Sequence, residues 1–433
     1  MKRRTRLVGL LLPVAACGWA ALAMAATGPA EPRHLGVASC ASTTCHGSAK
    51  ARTATPVAQN EYVNWQHFDP HAGAYAALDG PRGRQIARRL GLGKATAARE
   101  CLACHSESPQ ARAHGPLFQA DDGIGCESCH GASDRWIASH YDTPRVKHAD
   151  NLSAGMRALN EPAVRAQVCL DCHVGAADHL ATHRMMAAGH PRLVFELDTY
   201  TEIWRTSGGR EHYVPGAAYL ERKSLPPPAD VWVAGLIAQA RRQLSLLAAP
   251  NAHGNALLPE FALFNCYSCH RGMGLAHWAD RQPAPGGGLG ELHFDDAAIR
   301  LVAAAVEVRA PEDAVVLLHQ LHELQLAPGQ GWDAVRAAAT ALDATLAQLA
   351  GAPPVLSVAE SRQLAERIAT AAGQGEYPDY AGAEQVAMGI VVLLANSGQS
   401  TQSPAIEELF ASLANDERFD LQRFRKLARR LGK

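Results

Sequence analysis

GIGCESCHG, residues 123–131, holds Cys126 and Cys129 two residues apart with His130 directly behind. The same order (cysteine, two residues, cysteine, histidine) recurs as CLACH, CLDCH and CYSCH. These contain Cys101, Cys104 and His105; Cys169, Cys172 and His173; and Cys266, Cys269 and His270. In a chain of 433 residues with 11 cysteines and 20 histidines, chance supplies only about 0.01 copies. Four copies require a chemical cause.

Disulfides give no reason for a histidine behind every pair, and zinc would need the pairs in matched sets. The spacing is that of covalent c-type haem attachment. Two thiols add across the porphyrin vinyl groups as thioethers, and the adjacent histidine falls beneath the ring, where its imidazole binds iron. Such a tether lets little polypeptide hold a large cofactor. Cys101, Cys104, Cys126, Cys129, Cys169, Cys172, Cys266 and Cys269 are therefore read as attachment points, with His105, His130, His173 and His270 as proximal ligands.

One stretch departs from the pattern. CASTTCHG, residues 40–47, puts four residues between Cys40 and Cys45 before His46 and Gly47. Eight cysteines are already committed, and Cys17 lies in the N-terminal apolar segment, so two remain. Either they form a widened fifth site with His46 as proximal ligand, or they form a disulfide beside an unrelated histidine. The first gives five haem c groups, the second four. The first is preferred because it closes the cysteine inventory.

With these motifs placed, residues 36–278 resemble the multihaem cytochromes c of the cytochrome c-554 family, related to the scaffold of hydroxylamine oxidoreductase and pentahaem nitrite reductase. The connecting phrases NWQHFDPHAGAYAAL, MMAAGHPRLVFEL and PEFALFNCYSCHRGM carry the likeness together with the attachment sites. It implies a mainly α, irregular multihaem domain in which the haems are both core and electron path. Two departures set the chain apart. No Cys-x-x-Cys-Lys motif of a nitrite reductase occurs, and no tyrosine can be assigned the crosslink of hydroxylamine oxidoreductases.

The sixth iron ligand separates electron wiring from catalysis, since a second histidine closes the iron and an open position admits a small molecule. Candidate distal ligands are His71, in the family phrase PHAGAY; His114, before a Gly-Pro turn; His140, after the third motif; and His190, in GHP. His67, His183, His148, His179, His253 and His277 are weaker candidates. His319 and His322 lie far from any motif and are read as ordinary. Arg271 is a candidate partner for a haem propionate.

The N-terminus, MKRRTRLVGLLLPVAACGWAALAMAATG, has a basic start, an apolar run and Ala23-Met24-Ala25, the pattern of a signal peptide over residues 1–25. An uncleaved segment, or a lipid on Cys17, would instead tie the protein to a membrane. Export implies a periplasmic location. Losing the four basic residues takes the net charge from −1 to about −5. That balance argues against nucleic acid and for redox partners with basic docking surfaces.

The haem domain is placed at 34–278, followed by a Pro/Gly-rich linker at 279–291 and a haem-free α-helical bundle at 292–433. The last reads as five to seven helices from periods such as DAVRAAATALDATLAQLA. Within the haem domain, residues 229–249 have the apolar spacing of a buried helix with Asp230 as its cap. The leading function is exported electron transfer through covalent haems. The alternatives are an oxidoreductase acting on a small nitrogen or sulfur compound at a five-coordinate haem, and a partner subunit recruited through the bundle.

Overall fold

In the computed structural model the described residues are 31–55, 57–107, 114–142, 145–199, 216–221, 224–249, 260–270 and 293–432. The expected signal segment and linker, together with Arg271, His253 and His277, lie outside them. Among the described residues regular structure is almost entirely helical, as the mainly α reading requires. None of these helices is long and apolar enough to cross a membrane.

The first part is built from short helices: α1 (Glu61–Phe68), α2 (Ala74–Leu78), α3 (Pro81–Leu90), α4 (Arg99–His105), α5 (Cys126–His130), α6 (His148–Ser153), α7 (Pro162–His173) and α8 (His183–Ala187). Local signals start and stop them. Proline occupies the first turn of α3 and α7, where its missing N–H costs nothing. Gly91 ends α3 at φ 74°, a left-handed conformation that suits glycine. Thr182 caps α8 by accepting from the Met185 N–H. Apolar burial here is divided among small groups, such as Ile86, Leu90 and Ala188, or Leu78, Ala87, Ala95 and Cys101. Such groups give little core for so much chain.

After a short helix, α9 (Ala217–Leu220), comes the long α10 (Pro228–Ala248). It begins one residue earlier than expected. Pro228 sits in the first turn with Pro227 as the cap residue, so Asp230 lies inside the helix instead of capping it. The fixed φ of proline starts the helix before the acid is reached.

Seven helices follow: α11 (Ala297–Glu307), α12 (Pro311–Leu326), α13 (Trp332–Gly351), α14 (Val358–Gln374), α15 (Tyr380–Asn396), α16 (Pro404–Ala411) and α17 (Leu421–Leu431). They share one continuous apolar core with α10, including Trp232, Ile237, Leu301, Leu317, Leu342 and Phe424. The α10 helix lies along α13 and α7 and also meets α11 and α15. It therefore buries one side against the bundle and another against the helix that carries Cys169, Cys172 and His173. Its Trp232 fits against Gly389 of α15, where an added Cβ would fall 2.7 Å from the indole Cζ2.

Candidate haem-binding sites

Three regular motifs occupy the ends of helices. CLACH fills most of α4, CESCH is α5, and CLDCH forms the last turn and more of α7, each with its histidine as the final helical residue. The last regular motif, CYSCH, the fifth site counting the Cys40/Cys45 stretch as the first, begins with a 3₁₀ turn, Cys266–Ser268, which Asn265 caps by accepting from the Tyr267 N–H at 2.9 Å. The widened stretch around Cys40 and Cys45 closes as a turn, with the His46 N–H donating to the Cys40 carbonyl at 3.2 Å. All ten cysteines of the motifs are free thiols, and Cys40 and Cys45 form no disulfide.

The cysteines of different motifs adjoin one another. Cys40 and Cys126 share a thiol hydrogen bond, which holds Cys40 below its usual pKa and Cys126 far above it. Cys104 and Cys172 form a second such pair, with Cys104 lowered and Cys172 raised. Burial pushes the Cys129 thiol up to about 12, and the charge of nearby Cys169 adds to the effect. The first site thus abuts the third, the third neighbours the fourth, and the fourth abuts the second.

The histidines are arranged in facing pairs. His46 faces His140 with ring centres 6.2 Å apart and planes 17° from parallel. His71 faces His173 at 6.2 Å and 76°, and His105 faces His190 at 6.4 Å and 89°. His183 faces His270 at 6.0 Å and 39°. These separations can be tested against a shared metal ion. Metal–imidazole bonds are about 2 Å long, and the nitrogen lies about 1 Å from its ring centre, so two rings trans on one ion stand about 6 Å apart. All four pairs fit. Each joins a motif histidine to one from a distant part of the chain.

Hydrogen bonds at Nδ1 leave Nε2 available in six of these rings. His46 pairs with Glu61 at 2.9 Å and His71 with Asp69 at 2.8 Å. Backbone carbonyls of Ala74, Ile137, Val194 and Pro191 serve His105, His140, His173 and His190. Such a bond at one nitrogen fixes tautomer and orientation for ligation through the other. The carboxylates hold His46 and His71 above the usual imidazole pKa, whereas burial holds His140, His173 and His190 below it.

The same bookkeeping sorts the remaining candidates. His179 has both ring nitrogens engaged, by Asp178 at 2.8 Å and the Asp171 carbonyl at 2.9 Å. His114 stacks on Phe118 at 3.7 Å, and its backbone pairs with that of His34. His67 lies against Phe68, and His319 reaches Glu323 on the exposed face of α12. His183, ranked below His190 from sequence, faces a motif histidine just as His190 does. The available signal was that two histidines seven residues apart flank MMAAG, enough to serve two different sites.

Around Cys266 the first part meets the bundle through polar groups. Arg192 pairs with Glu384 at 2.8 Å and stacks its guanidinium on the Tyr380 ring at 5.2 Å. Asp379, buried at the start of α15, accepts from the Gly382 N–H at 2.8 Å, and burial raises its carboxyl pKa to about 6. His293, also buried, was not singled out from sequence. Its Nε2 has no hydrogen-bond partner, and its carbonyl accepts from the Asn265 N–H.

Residues 39–131 match the family described as cytochrome c554 and c-prime, a stretch that includes the first three motifs. No curated protein and no solved structure matches the chain. The family match supports a cytochrome c family, and with it covalently bound haem c and electron transfer.

Proposed function

We propose that the protein is an exported pentahaem cytochrome c that passes single electrons between redox protein partners. Cys40 and Cys45, Cys101 and Cys104, Cys126 and Cys129, Cys169 and Cys172, and Cys266 and Cys269 would hold the five groups. His46, His105, His130, His173 and His270 would be their proximal ligands. The observation that carries this reading is the set of four facing histidine pairs, each including one motif histidine. On this reading His140, His190, His71 and His183 would be the distal ligands opposite His46, His105, His173 and His270.

When bound, haem supplies an iron that exchanges one electron without any proton or substrate at the metal. The chain's own residues do the rest. Glu61 and Asp69 orient His46 and His71 through Nδ1, and four carbonyls do the same for His105, His140, His173 and His190. Paired imidazoles would leave no open position for a small molecule at four of the sites. The adjoining cysteines suggest the order first, third, fourth, second, and the stretch from His183 to His190 connects the second site to the fifth. Export would deliver the thiols to the periplasm, where attachment takes place. An uncleaved or lipidated N-terminus would add membrane anchorage.

Intact mass and electron paramagnetic resonance of the oxidised protein test the proposal. Five haem additions and a spectrum dominated by low-spin iron are expected. Four additions would remove Cys40 and Cys45 from the set. A high-spin signal that shifts with nitrite, hydroxylamine or sulfite would favour an oxidoreductase instead.

A further inference from the structure

A further cluster of possible metal donors lies beside the attachment motifs, outside the facing histidine pairs. Donor atoms of His34, Glu107 and Glu127 all lie within 4.8 Å of one another. Both carboxylates are deeply buried, Glu107 at 2% and Glu127 at 1% exposure. Two anionic groups so close and so dry require positive charge or strong hydrogen-bond donors.

Glu127 is supplied with donors. Its Oε1 accepts from the Leu35 N–H at 3.0 Å and the Ser133 N–H at 2.6 Å, and its Oε2 accepts from the Gly36 N–H at 2.7 Å. One acceptor position remains on Oε2. Glu107 is not so provided. Its Oε1 lies 2.9 Å from His34 Nδ1, but its Oε2 is buried with no hydrogen-bond partner. Nor is that orphaned oxygen crowded out by chance. It lies where a Cβ on residue 125 would come within 2.2 Å, so the glycine makes room for it.

We propose that His34, Glu107 and Glu127 form a site for one divalent cation of the zinc class. One imidazole and two carboxylates are a suitable donor set for zinc, with water completing a four-coordinate shell. Calcium prefers six to eight oxygens, which this mixed set of three side chains does not approach. Two donors bonded at about 2.1 Å to one tetrahedral ion stand about 3.4 Å apart, so the 2.9 Å hydrogen-bond contact between His34 Nδ1 and Glu107 Oε1 would open by about 0.5 Å on binding. Backbone N–H groups already orient Glu127, as outer contacts do in built metal sites. The cation would join the segment ahead of Cys40 to the residues behind His105 and to the third motif, clamping three attachment sites together.

The test uses haem-loaded protein, so that cysteine thiols cannot take up the metal. After dialysis against a chelator, the sample is titrated with zinc chloride by calorimetry, with zinc and iron counted on the same material after gel filtration. One zinc per chain is expected, with affinity falling at least tenfold in His34→Ala and Glu107→Gln while the iron count stays unchanged. Wild-type protein that retains no zinc overturns the site. So does zinc binding of equal affinity in His34→Ala. That variant changes a partly exposed residue outside the haem motifs, so it remains informative if Glu107→Gln fails to fold.

Discussion

Replacing His140 by alanine isolates one of the facing pairs. His140 stands 6.2 Å from His46 and has edge contacts to Trp136 and Tyr141, at 5.5 and 5.7 Å. Its removal forfeits one favourable ring contact's worth of stability, about 1 kcal/mol, so the fold should survive. The spectroscopic change should be larger. If the proposed five sites are filled, about one iron in five should become high-spin, because the remaining imidazole would leave one position open. The pair is also distinctive in orientation. Its ring planes are nearly parallel at 17°, whereas those of His71–His173 and His105–His190 are nearly perpendicular. Parallel imidazole planes lift the degeneracy of the iron dπ orbitals and give a rhombic low-spin spectrum; perpendicular planes give a strongly anisotropic one. His140→Ala should therefore remove rhombic low-spin intensity, and added imidazole should restore it. His179→Ala is the control, since both of its ring nitrogens already serve Asp178 and Asp171. An unchanged spectrum in His140→Ala, or an equal change in His179→Ala, would refute the assignment.

Other consequences concern stability. The Asp379 carboxyl is raised from 3.8 to about 6 by burial, so between these values the folded state holds the extra proton. Its contribution is most favourable below about pH 4 and is lost as pH rises through 6, a swing of about 3 kcal/mol. Asp379→Asn keeps a capping oxygen and should flatten chemical-denaturation stability between pH 4.5 and 7.5; an unaltered slope would count against the buried charge. Gly389→Ala drives a methyl group to 2.7 Å from the Trp232 ring and should cost about 1–3 kcal/mol, read as a lower denaturation midpoint. No loss would mean that α10 is not packed on α15 in this register. Glu127→Gln replaces an anion that accepts from Leu35, Gly36 and Ser133 by an amide with only one acceptor oxygen. A loss of about 2–3 kcal/mol is expected, and wild-type thermal stability would show that those three donors are satisfied otherwise.

What could be read from sequence follows from where the chemistry is local. The Cys-x-x-Cys-His motifs were visible because covalent haem attachment draws two thiols and one ligand from consecutive residues. Distal ligands have no such constraint. His71, His140 and His190 could be nominated from their surroundings, but not matched to partners, because the facing residues come from distant segments. His183 ranks below His190 in sequence because only His190 lies in the GHP phrase. The structure places His183 at the start of α8 and His190 beyond its end, facing two different motif histidines. Helical periodicity gave the bundle and α10, since apolar spacing is also local. It could not show that α10 has two buried sides, because that depends on which helices come to lie against it. The Asp230 cap was misplaced for a simpler reason: the proline run before it was read as a boundary, whereas Pro228 already belongs to the helix.

The division of apolar burial gives the two parts different sources of stability. From α10 to α17 one continuous core includes Trp232, Leu317 and Phe424 and can sustain cooperative folding by itself. The described residues between 31 and 199 have only small clusters to set against the entropy of ordering many turns and short helices. Under the proposed ligation, the facing histidines would supply the difference. Each pair closes a loop of roughly 85 to 100 residues, and metal bonds that close long loops contribute most where the polypeptide alone offers least. Cofactor attachment would then be part of how this region folds. The bundle beside it would provide a preformed surface, along α10 and α15, against which the fourth and fifth sites are held.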